Sequence, residues 1–429
     1  MNIALTVMVL LFGGLAVIGV PLSFSTGIAA MAYFIISDQS LRTMAHQFFT
    51  SINSFVLLAV PLFIMTGHIM AECKITDRII DLANLMVGRF RGGLAQVNIL
   101  ASMMFGGCSG SALADVAGLG SVLIPAMRKN GYSAGFSTAV TVASSIQGPI
   151  IPPSIPIVIF ASVTQLSTGA LLVGGAVPGI LLGAIQMIAT YFIARRRNYL
   201  SHDVVSGYEA VMRILIGSIP AVIMPGILMG GIISGVFTPT EAAAVAVAYA
   251  LLLGLVVYRN LSFRALIRIG TRVARDTASI FLLIGTAGIF GWILAVTHLP
   301  QELAGFISKA DMPPALLLLV INVILLFWGM LMDAAPAILI LGPILTPIAV
   351  RAGVQPVHFG VIMVFNLMLG LMTPPYGLCL FAGAAIAKIP IGEVVRELLP
   401  YIFVSVAMLL IVTYVPALVL TVPRLVGLL

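Results

Sequence analysis

Charged side chains are scarce in this chain. Of its 429 residues, 14 are Asp or Glu and 21 are Lys or Arg, so 8% are charged while 61% are hydrophobic. The mean hydropathy is +1.18. This composition excludes a soluble domain and indicates a protein that crosses a membrane several times. The excess of positive charge is typical of cytoplasmic membrane loops, so we expect no nucleic-acid binding.

Cysteine is almost as rare. Cys73, Cys108 and Cys379 lie far apart and form no Cys-x-x-Cys motif, which excludes a disulfide framework and a zinc site. The first five residues lack the Lys or Arg of a signal peptide, so the first apolar run predicts a retained helix. A start without positive charge also favours an N-terminus outside the cytoplasm.

Proline and glycine, in contrast, recur in a repeated order. Gly-Pro-Ile-Ile-Pro-Pro at 148–153 and Gly-Leu-Met-Thr-Pro-Pro at 370–375 lie 222 positions apart, as do the glycines at 120 and 342 that precede them. A Pro-Pro pair removes backbone donors and unwinds a helix. In a bilayer, unwound backbone persists only where it is buried in protein or lines a cavity. Two matching breaks therefore predict the binding site of a secondary transporter.

Two apolar stretches do not fit single crossings. Residues from about 93 to 127 and from about 314 to 350 each carry a polar cluster at the centre, Ser109-Gly110-Ser111 in one and Asp333 in the other. We interpret both as re-entrant helical hairpins. The apolar runs that fit one span lie near 3–20, 22–37, 54–71, 132–163, 168–194, 210–235, 237–258, 277–297, 356–387 and 395–421.

The distribution of Lys and Arg gives the orientation. With the Arg195–Arg197 run in the cytoplasm and both hairpins re-entrant, most positive residues fall inside. The exceptions are Arg42, Lys309, Arg351 and Arg424. Both termini then lie outside, and the two hairpins enter from opposite sides, so the halves are inverted.

The predicted fold is thus an all-α polytopic membrane protein with an inverted structural repeat. Its halves are 1–208 and 209–429. Each contains scaffold helices, an amphipathic arm, a re-entrant hairpin and an unwound transmembrane helix. The arms are predicted at about 39–50 and 261–275, with an ordinary basic cytoplasmic loop as the alternative for the second, and the broken helices at about 132–163 and 356–387.

Three acids lie deep in apolar sequence: Asp115, Glu241 and Asp333. Such acids usually face a site or a polar partner. Asp333, at the tip of the second hairpin, is a candidate ligand for Na⁺ or a proton, with a structural hydrogen-bond acceptor as the alternative. We expect Asp115 to cap or brace the first hairpin. Glu241 follows a Thr-Pro-Thr turn, and we expect Thr240 to cap a helix with Glu241 as its first-turn acid; ion coupling at Glu241 is the alternative.

Hydroxyl and amide side chains concentrate beside the breaks. They are candidates for ligand contact, although Ser and Thr in membrane helices commonly bond their own backbone. The set comprises Ser109, Ser111, Ser144, Ser145, Gln147, Asn366, Thr373 and Tyr376. No Lys or Arg lies at membrane depth, so an anionic substrate would meet helix N-termini and neutral donors.

An intramembrane serine protease and a passive channel are the alternatives to a transporter. Gly107-Cys108-Ser109-Gly110 fits the Gly-x-Ser-Gly pattern of intramembrane serine proteases, but a serine nucleophile needs a base. Only His68 lies within an apolar span, and the motif is short, so we do not expect an enzyme. A passive channel is the principal alternative to a transporter.

Four motifs resemble one family across nearly the whole chain. Phe105–Asp115, Gly148–Ser154, Gly235–Ala243 and Met372–Gly377 are similar to the large membrane subunit of tripartite ATP-independent periplasmic (TRAP) transporters. The resemblance implies import of a small organic acid across the bacterial inner membrane by an elevator mechanism, coupled to Na⁺ without ATP. It also implies a small four-helix membrane subunit (Q type) and a periplasmic substrate-binding protein (P type) as partners.

The resemblance further implies two sodium sites with the substrate between them. One would lie around Ser109, Ser111, Gly148, Ile151 and Pro153. The other would lie around Asp333, Gly370, Met372 and Thr373. Substrate contacts would come from Ser144, Ser145, Gln147, Asn366 and Tyr376. The sequence looks most similar to the sialic-acid branch, with C4-dicarboxylates as the next choice.

Overall fold

The computed structural model describes residues 3–199, 207–298 and 313–429. These residues form 19 α-helices and no strand, which confirms the all-α prediction. In chain order the helices are α1 (Ile3–Val17), α2 (Leu22–Ile36), α3 (Leu41–Ile52), α4 (Ala59–Glu72), α5 (Ile75–Val87), α6 (Gly93–Ser109), α7 (Ala112–Lys129), α8 (Ala134–Ser145), α9 (Ile155–Thr164), α10 (Thr168–Arg196), α11 (Tyr208–Ile233), α12 (Pro239–Leu252), α13 (Phe263–Val296), α14 (Pro314–Leu331), α15 (Ala334–Arg351), α16 (Pro356–Met372), α17 (Leu378–Ala387), α18 (Ile391–Tyr414) and α19 (Ala417–Leu425).

Many of these helices suit a bilayer. Within the described residues, eight helical segments are long and apolar enough to cross a membrane. The helices α1 and α2 are equally apolar but have only 15 residues each. At 1.5 Å per residue, such a helix covers about 22 Å of a hydrocarbon core of about 30 Å.

Both predicted hairpins are present as pairs of consecutive helices. In hairpin one (α6–α7), Gly110 adopts a left-handed conformation with φ of 60° and Ser111 caps α7. In hairpin two (α14–α15), Asp333 caps α15 by accepting a 2.8 Å hydrogen bond from the amide of Ala334. Ser111 and Asp333, 222 positions apart, thus occupy the same place in the two hairpins. Entry of the hairpins from opposite membrane sides remains a prediction.

Both predicted helix breaks are also present. The first, between α8 and α9, spans residues 146–154, and the second, between α16 and α17, spans residues 373–377. Each contains its Pro-Pro pair, and both Pro-Pro peptide bonds are cis. The unwound backbone therefore falls at corresponding positions of the two halves.

Glycine pairs bring each hairpin against its broken helix. A Cβ on Gly106 would lie 2.2 Å from Cα of Gly148, and a Cβ on Gly370 would lie 2.3 Å from the carbonyl carbon of Gly329. Both contacts are between backbones, which leaves no side chain to move aside. The same close approach in both halves places each hairpin beside the broken helix of its own half.

Three features differ from the expectations. Residues 75–87 form an amphipathic helix, α5, that we did not predict. The predicted second arm, residues 261–275, is not a separate helix. No helix-breaking residue follows it, so α13 continues unbroken for 34 residues from its cap at Ser262. The last apolar run is divided, with α18 ending at Tyr414 and α19 following. Lys309, which the charge distribution places outside, lies beyond the described residues.

The start of α12 confirms the structural role expected for Glu241, but the cap is Thr238 and not Thr240, whose hydroxyl donates to the Phe55 carbonyl. The Thr238 hydroxyl accepts from the Glu241 amide at 3.3 Å, and the Glu241 carboxylate accepts from the Thr238 amide at 2.8 Å. The two residues thereby satisfy two amide groups that a helix start leaves without partners.

Replacing Thr238 by alanine should destabilise the protein by about 1 kcal/mol, because it removes the acceptor that caps α12. The measurement is the apparent unfolding temperature of the purified protein in detergent. Thr271→Ala is the matched control, since the Thr271 hydroxyl only bonds the Ile267 carbonyl within α13. Equal unfolding temperatures for the two variants would contradict the capping role.

Candidate functional site

A cavity of about 740 Å³ lies between the two hairpin tips and the helices α4 and α13. The hairpins contribute Ser109, Ser111 and Asp333 to its lining. The helices α4 and α13 contribute a second surface, which we call the α4–α13 wall. Its residues are Ile64, Gly67, His68, Ala71, Asp276, Ser279 and Ile280.

Helix ends of both polarities face this cavity. The first turns of α7, α9 and α15 contribute lining residues, among them Ala112, Ile155 and Ala334. The last turns of α6 and α16 do so as well, through Ser109 and Leu371. Helix N-termini carry partial positive charge and favour anions, whereas the C-terminal carbonyls favour cations. The arrangement can therefore bind an anion and a cation close together.

Asp115 connects hairpin one to the first break. Its side chain is buried, and its Oδ1 accepts a 2.6 Å hydrogen bond from the Ser109 hydroxyl. Its Oδ2 has no hydrogen-bond partner among the described residues. A Cβ on Gly148 would lie 2.7 Å from this oxygen, so the unpartnered carboxylate oxygen faces the unwound segment. The bracing role expected for Asp115 is present, but it uses only one of the two oxygens.

The unwound segment beside Asp115 supplies backbone oxygens. No described residue donates a hydrogen bond to the carbonyl of Gly148, Ile151 or Pro153. Pro153 also lies at the hairpin tip, because a Cβ on Gly110 would be 3.0 Å from its carbonyl oxygen. The structure thus brings Gly148 and Pro153 of the predicted first sodium site against the hairpin tip that carries Ser109 and Ser111, whereas Ile151 packs against Gly179 of α10. Hard oxygen ligands of this kind suit a small cation such as Na⁺.

The second predicted cation site is less enclosed. Asp333 is exposed to the cavity at the tip of hairpin two. Gly370 touches hairpin two through Gly329, and the amide of Gly377 donates to the Met330 carbonyl at 3.1 Å. Thr373 follows Met372 at the end of α16, and its hydroxyl donates to the Leu369 carbonyl at 2.7 Å. Break two is therefore held against hairpin two, as break one is against hairpin one.

The predicted substrate residues of the first half do not line the cavity. Ser144, Ser145 and Gln147 are fully buried. Ser144 shares a 2.8 Å hydrogen bond with Ser102 of α6, and Ser145 donates to the Val142 carbonyl of its own helix. Gln147 donates to a second glutamine, Gln186 of α10, at 2.5 Å. These contacts attach α8 and the break to neighbouring helices.

The two predicted substrate residues of the second half also lie away from the cavity lining. Asn366, 222 positions after Ser144, donates to both oxygens of Asn322 on α14 and is fully buried. Tyr376 is 46% exposed, and its ring lies 5.1 Å from that of Phe381. Ser144 and Asn366 thus have the same place in the repeat, each joining a broken helix to the first helix of its hairpin.

One pair in the cavity was not predicted. His68 Nε2 on α4 lies 3.1 Å from Asp276 Oδ2 on α13, and both residues belong to the α4–α13 wall. The only sequence signal for it was the position of His68 within an apolar span. Ser109 donates to Asp115 and not to this histidine, so no histidine among the described residues partners the serine of the Gly-x-Ser-Gly motif.

Two helical hairpins and two broken helices around a shared cavity define a membrane transport protein. The sequence matches, over residues 6–418, the family described as the DctM component of the tripartite ATP-independent periplasmic transporters. The chain belongs to this family. It is a multi-pass membrane permease subunit and not an enzyme, and the resemblance to TRAP large subunits is confirmed.

Individual relatives match almost from end to end. The sialic acid TRAP transporter large permease protein SiaM of Vibrio cholerae is 41% identical over 413 residues, which cover 96% of each chain. The C4-dicarboxylate TRAP transporter large permease protein DctM of Pseudomonas aeruginosa is 38% identical over 401 residues, which cover 93% of each chain.

A solved structure shares the fold. The YdaH transporter of Alcanivorax borkumensis, described as having an unusual topology, superposes with a TM-score of 0.54. The superposition covers 87% of this chain and 88% of that one at 17% sequence identity. At this identity the likeness concerns architecture alone.

Proposed function

We propose that this chain is the large subunit of a sodium-coupled importer of small organic acids. The observation that carries the proposal is the buried Asp115 oxygen, unpartnered and facing an unwound backbone segment beside the cavity. A buried carboxylate without compensation is costly, and a bound Na⁺ would supply the missing partner.

The first sodium ion is proposed to bind between hairpin one and break one. Its ligands would come from Asp115, the Ser109 hydroxyl and the carbonyls of the 148–153 segment. Asp115 joins the site residues that the resemblance implied. The second ion is proposed to bind near Asp333 and the Gly370–Thr373 turn.

The substrate is proposed to occupy the cavity between the hairpins and the α4–α13 wall. The three helix N-termini that face the cavity favour the carboxylate of an organic acid, and its two neighbouring sodium sites would reduce the negative charge around it. The named relatives favour sialic acid first and a C4-dicarboxylate second.

Energetics support coupling to more than one ion. An anion of charge −1 that enters the cell moves against about 2.3 kcal/mol per 100 mV of membrane potential, and each Na⁺ gains about as much. Two or more sodium ions per acid therefore give a net electrical drive. We propose that the hairpins and broken helices move together, as a transport domain of the elevator type, against the remaining helices.

The family's description as tripartite and periplasmic supports two partners. We propose a small four-helix membrane subunit of the Q type and a periplasmic substrate-binding protein of the P type. The assembly would lie in the bacterial inner membrane with both termini of this chain in the periplasm. Membrane lipid would cover the exposed apolar faces of the outer helices.

Reconstitution in liposomes tests the function. The complex of this chain with both partners should take up sialic acid or succinate when Na⁺ is higher outside, and K⁺ should not replace Na⁺. Uptake at equal rates in Na⁺ and K⁺ would refute the coupling. Unsaturable uptake without the binding protein would instead identify a channel.

Asp333→Asn should raise the Na⁺ concentration for half-maximal uptake by roughly ten-fold, because it removes the one negative charge at the tip of hairpin two. Uptake at varied Na⁺ with saturating substrate is the measurement. Asp38→Asn, in the exposed turn between α2 and α3, is the charge-matched control. An unchanged Na⁺ dependence in Asp333→Asn would rule out the second site.

A further inference from the structure

The α4–α13 wall carries a titratable pair that the proposed sodium sites do not use. His68 Nε2 and Asp276 Oδ2 are 3.1 Å apart, and the side chains are 31% and 47% exposed. Both residues line the cavity. An ion pair this exposed contributes about 0–1 kcal/mol to stability, so holding α4 against α13 is a weak reason for it.

The charge of the cavity sets these residues apart. Among the described residues that line it, the titratable side chains are His68, Asp276 and Asp333, and none is Lys or Arg. Two acids oppose the entry of an anion. His68 is therefore the one described lining side chain that can carry a full positive charge.

Neighbouring charges do not compete for this histidine. One turn further along α4, Glu72 pairs with Arg268 of α13 at 2.5 Å, and neither residue lines the cavity. The lining residues of α6, α7, α9 and α16 are not titratable. The other titratable residues that line the cavity are thus Asp276, beside His68 on the wall, and Asp333, the cap of α15.

We infer that His68 binds the carboxylate of the transported acid from the α4–α13 wall and that Asp276 positions its ring. A protonated imidazole donates from both nitrogens. Nε2–H is held by Asp276, which leaves Nδ1–H for the substrate carboxylate. The acid would then be bound from two sides, by helix N-termini on the hairpins and by a cation on the wall. This inference rests on the proposed function, since it requires an organic anion in this cavity.

The test is the substrate dependence of uptake by the reconstituted complex. Sialic acid and succinate are both assayed, and the acid that the wild type transports is used for the variants. His68→Ala should raise KM roughly ten-fold with Vmax within about two-fold of wild type, because it removes one charge-assisted hydrogen bond to the substrate.

Further variants separate binding from structure. His68→Gln supplies a neutral donor and should recover part of the affinity. Asp276→Asn keeps the shape of the pair and should raise KM less than His68→Ala does. His46→Ala, which removes an exposed histidine of α3, is the matched control and should behave as wild type.

The KM and Vmax of His68→Ala test whether His68 binds the substrate carboxylate. An unchanged KM in His68→Ala would overturn the inference, and so would a loss of Vmax at constant KM. Sodium-independent uptake by the wild type would refute the proposed coupling. The KM of wild type and His68→Ala could still be compared, so the inference about His68 would still be tested. A wild-type complex that transports neither acid would refute the proposed substrate class and the carboxylate site with it.

Discussion

Asp115→Asn should raise the Na⁺ requirement of uptake by roughly 30- to 100-fold, or abolish uptake at physiological Na⁺. The asparagine oxygen can still accept from Ser109, so the brace across the tip of hairpin one is preserved. The substitution removes the negative charge that faces Gly148. Loss of one buried charged ligand corresponds to about 2 to 2.8 kcal/mol, which gives this range.

Uptake at varied Na⁺ measures this effect, and binding of Na⁺ to the purified protein by calorimetry provides an independent reading. Ser109→Ala is the informative comparison, because it removes the brace and keeps the carboxylate. It should reduce Na⁺ affinity less than Asp115→Asn does. If Ser109→Ala had the larger effect, Asp115 would be a brace and the ion would lie elsewhere.

Gly106→Ala should destabilise the protein by about 1–3 kcal/mol and eliminate uptake. The added Cβ would lie 2.2 Å from Cα of Gly148, far inside van der Waals contact, with backbone on both sides. Overpacking of this kind separates the elements concerned. Here the elements are hairpin one and the unwound segment whose carbonyls are proposed to bind Na⁺.

The apparent unfolding temperature in detergent and the uptake rate report the two consequences. Gly370→Ala should act alike at the equivalent contact of the second half, where Gly329 is the neighbour. Gly270→Ala in α13 is the control, because a Cβ there meets nothing within 4 Å and alanine is the better helix former. Gly106→Ala protein with wild-type stability and uptake would show that the two backbones need not touch.

The contacts of Asp115 and Gly106 join structural elements that could be predicted from the sequence, although the contacts themselves could not. The Pro-Pro breaks and the hairpin tips could be predicted, because proline excludes helical hydrogen bonds and a polar cluster within an apolar run excludes a simple crossing. The repeat then indicated that Ser111 and Asp333 have equivalent positions, and both do cap the second helix of a hairpin.

Side-chain roles beside the breaks were harder to predict. Ser144 and Asn366 have the residue types and positions expected of substrate ligands, yet both bond helices of the hairpins. Asp115 was expected to brace hairpin one and does so, but its second oxygen became visible only once Gly148 lay beside it. A polar side chain at membrane depth needs a partner, and sequence cannot say whether that partner is protein or ligand.

The sequence by itself determined the membrane class, the repeat, the hairpins and the two interruptions, because each follows from local hydrophobicity and from what proline does to its own backbone. Only the tertiary structure decided that α13 continues through the second arm, that Gly106 meets Gly148, and that His68 pairs with Asp276 across 208 residues of chain. These features depend on which helices pack together, and packing is set by surfaces from distant parts of the chain that no local pattern contains.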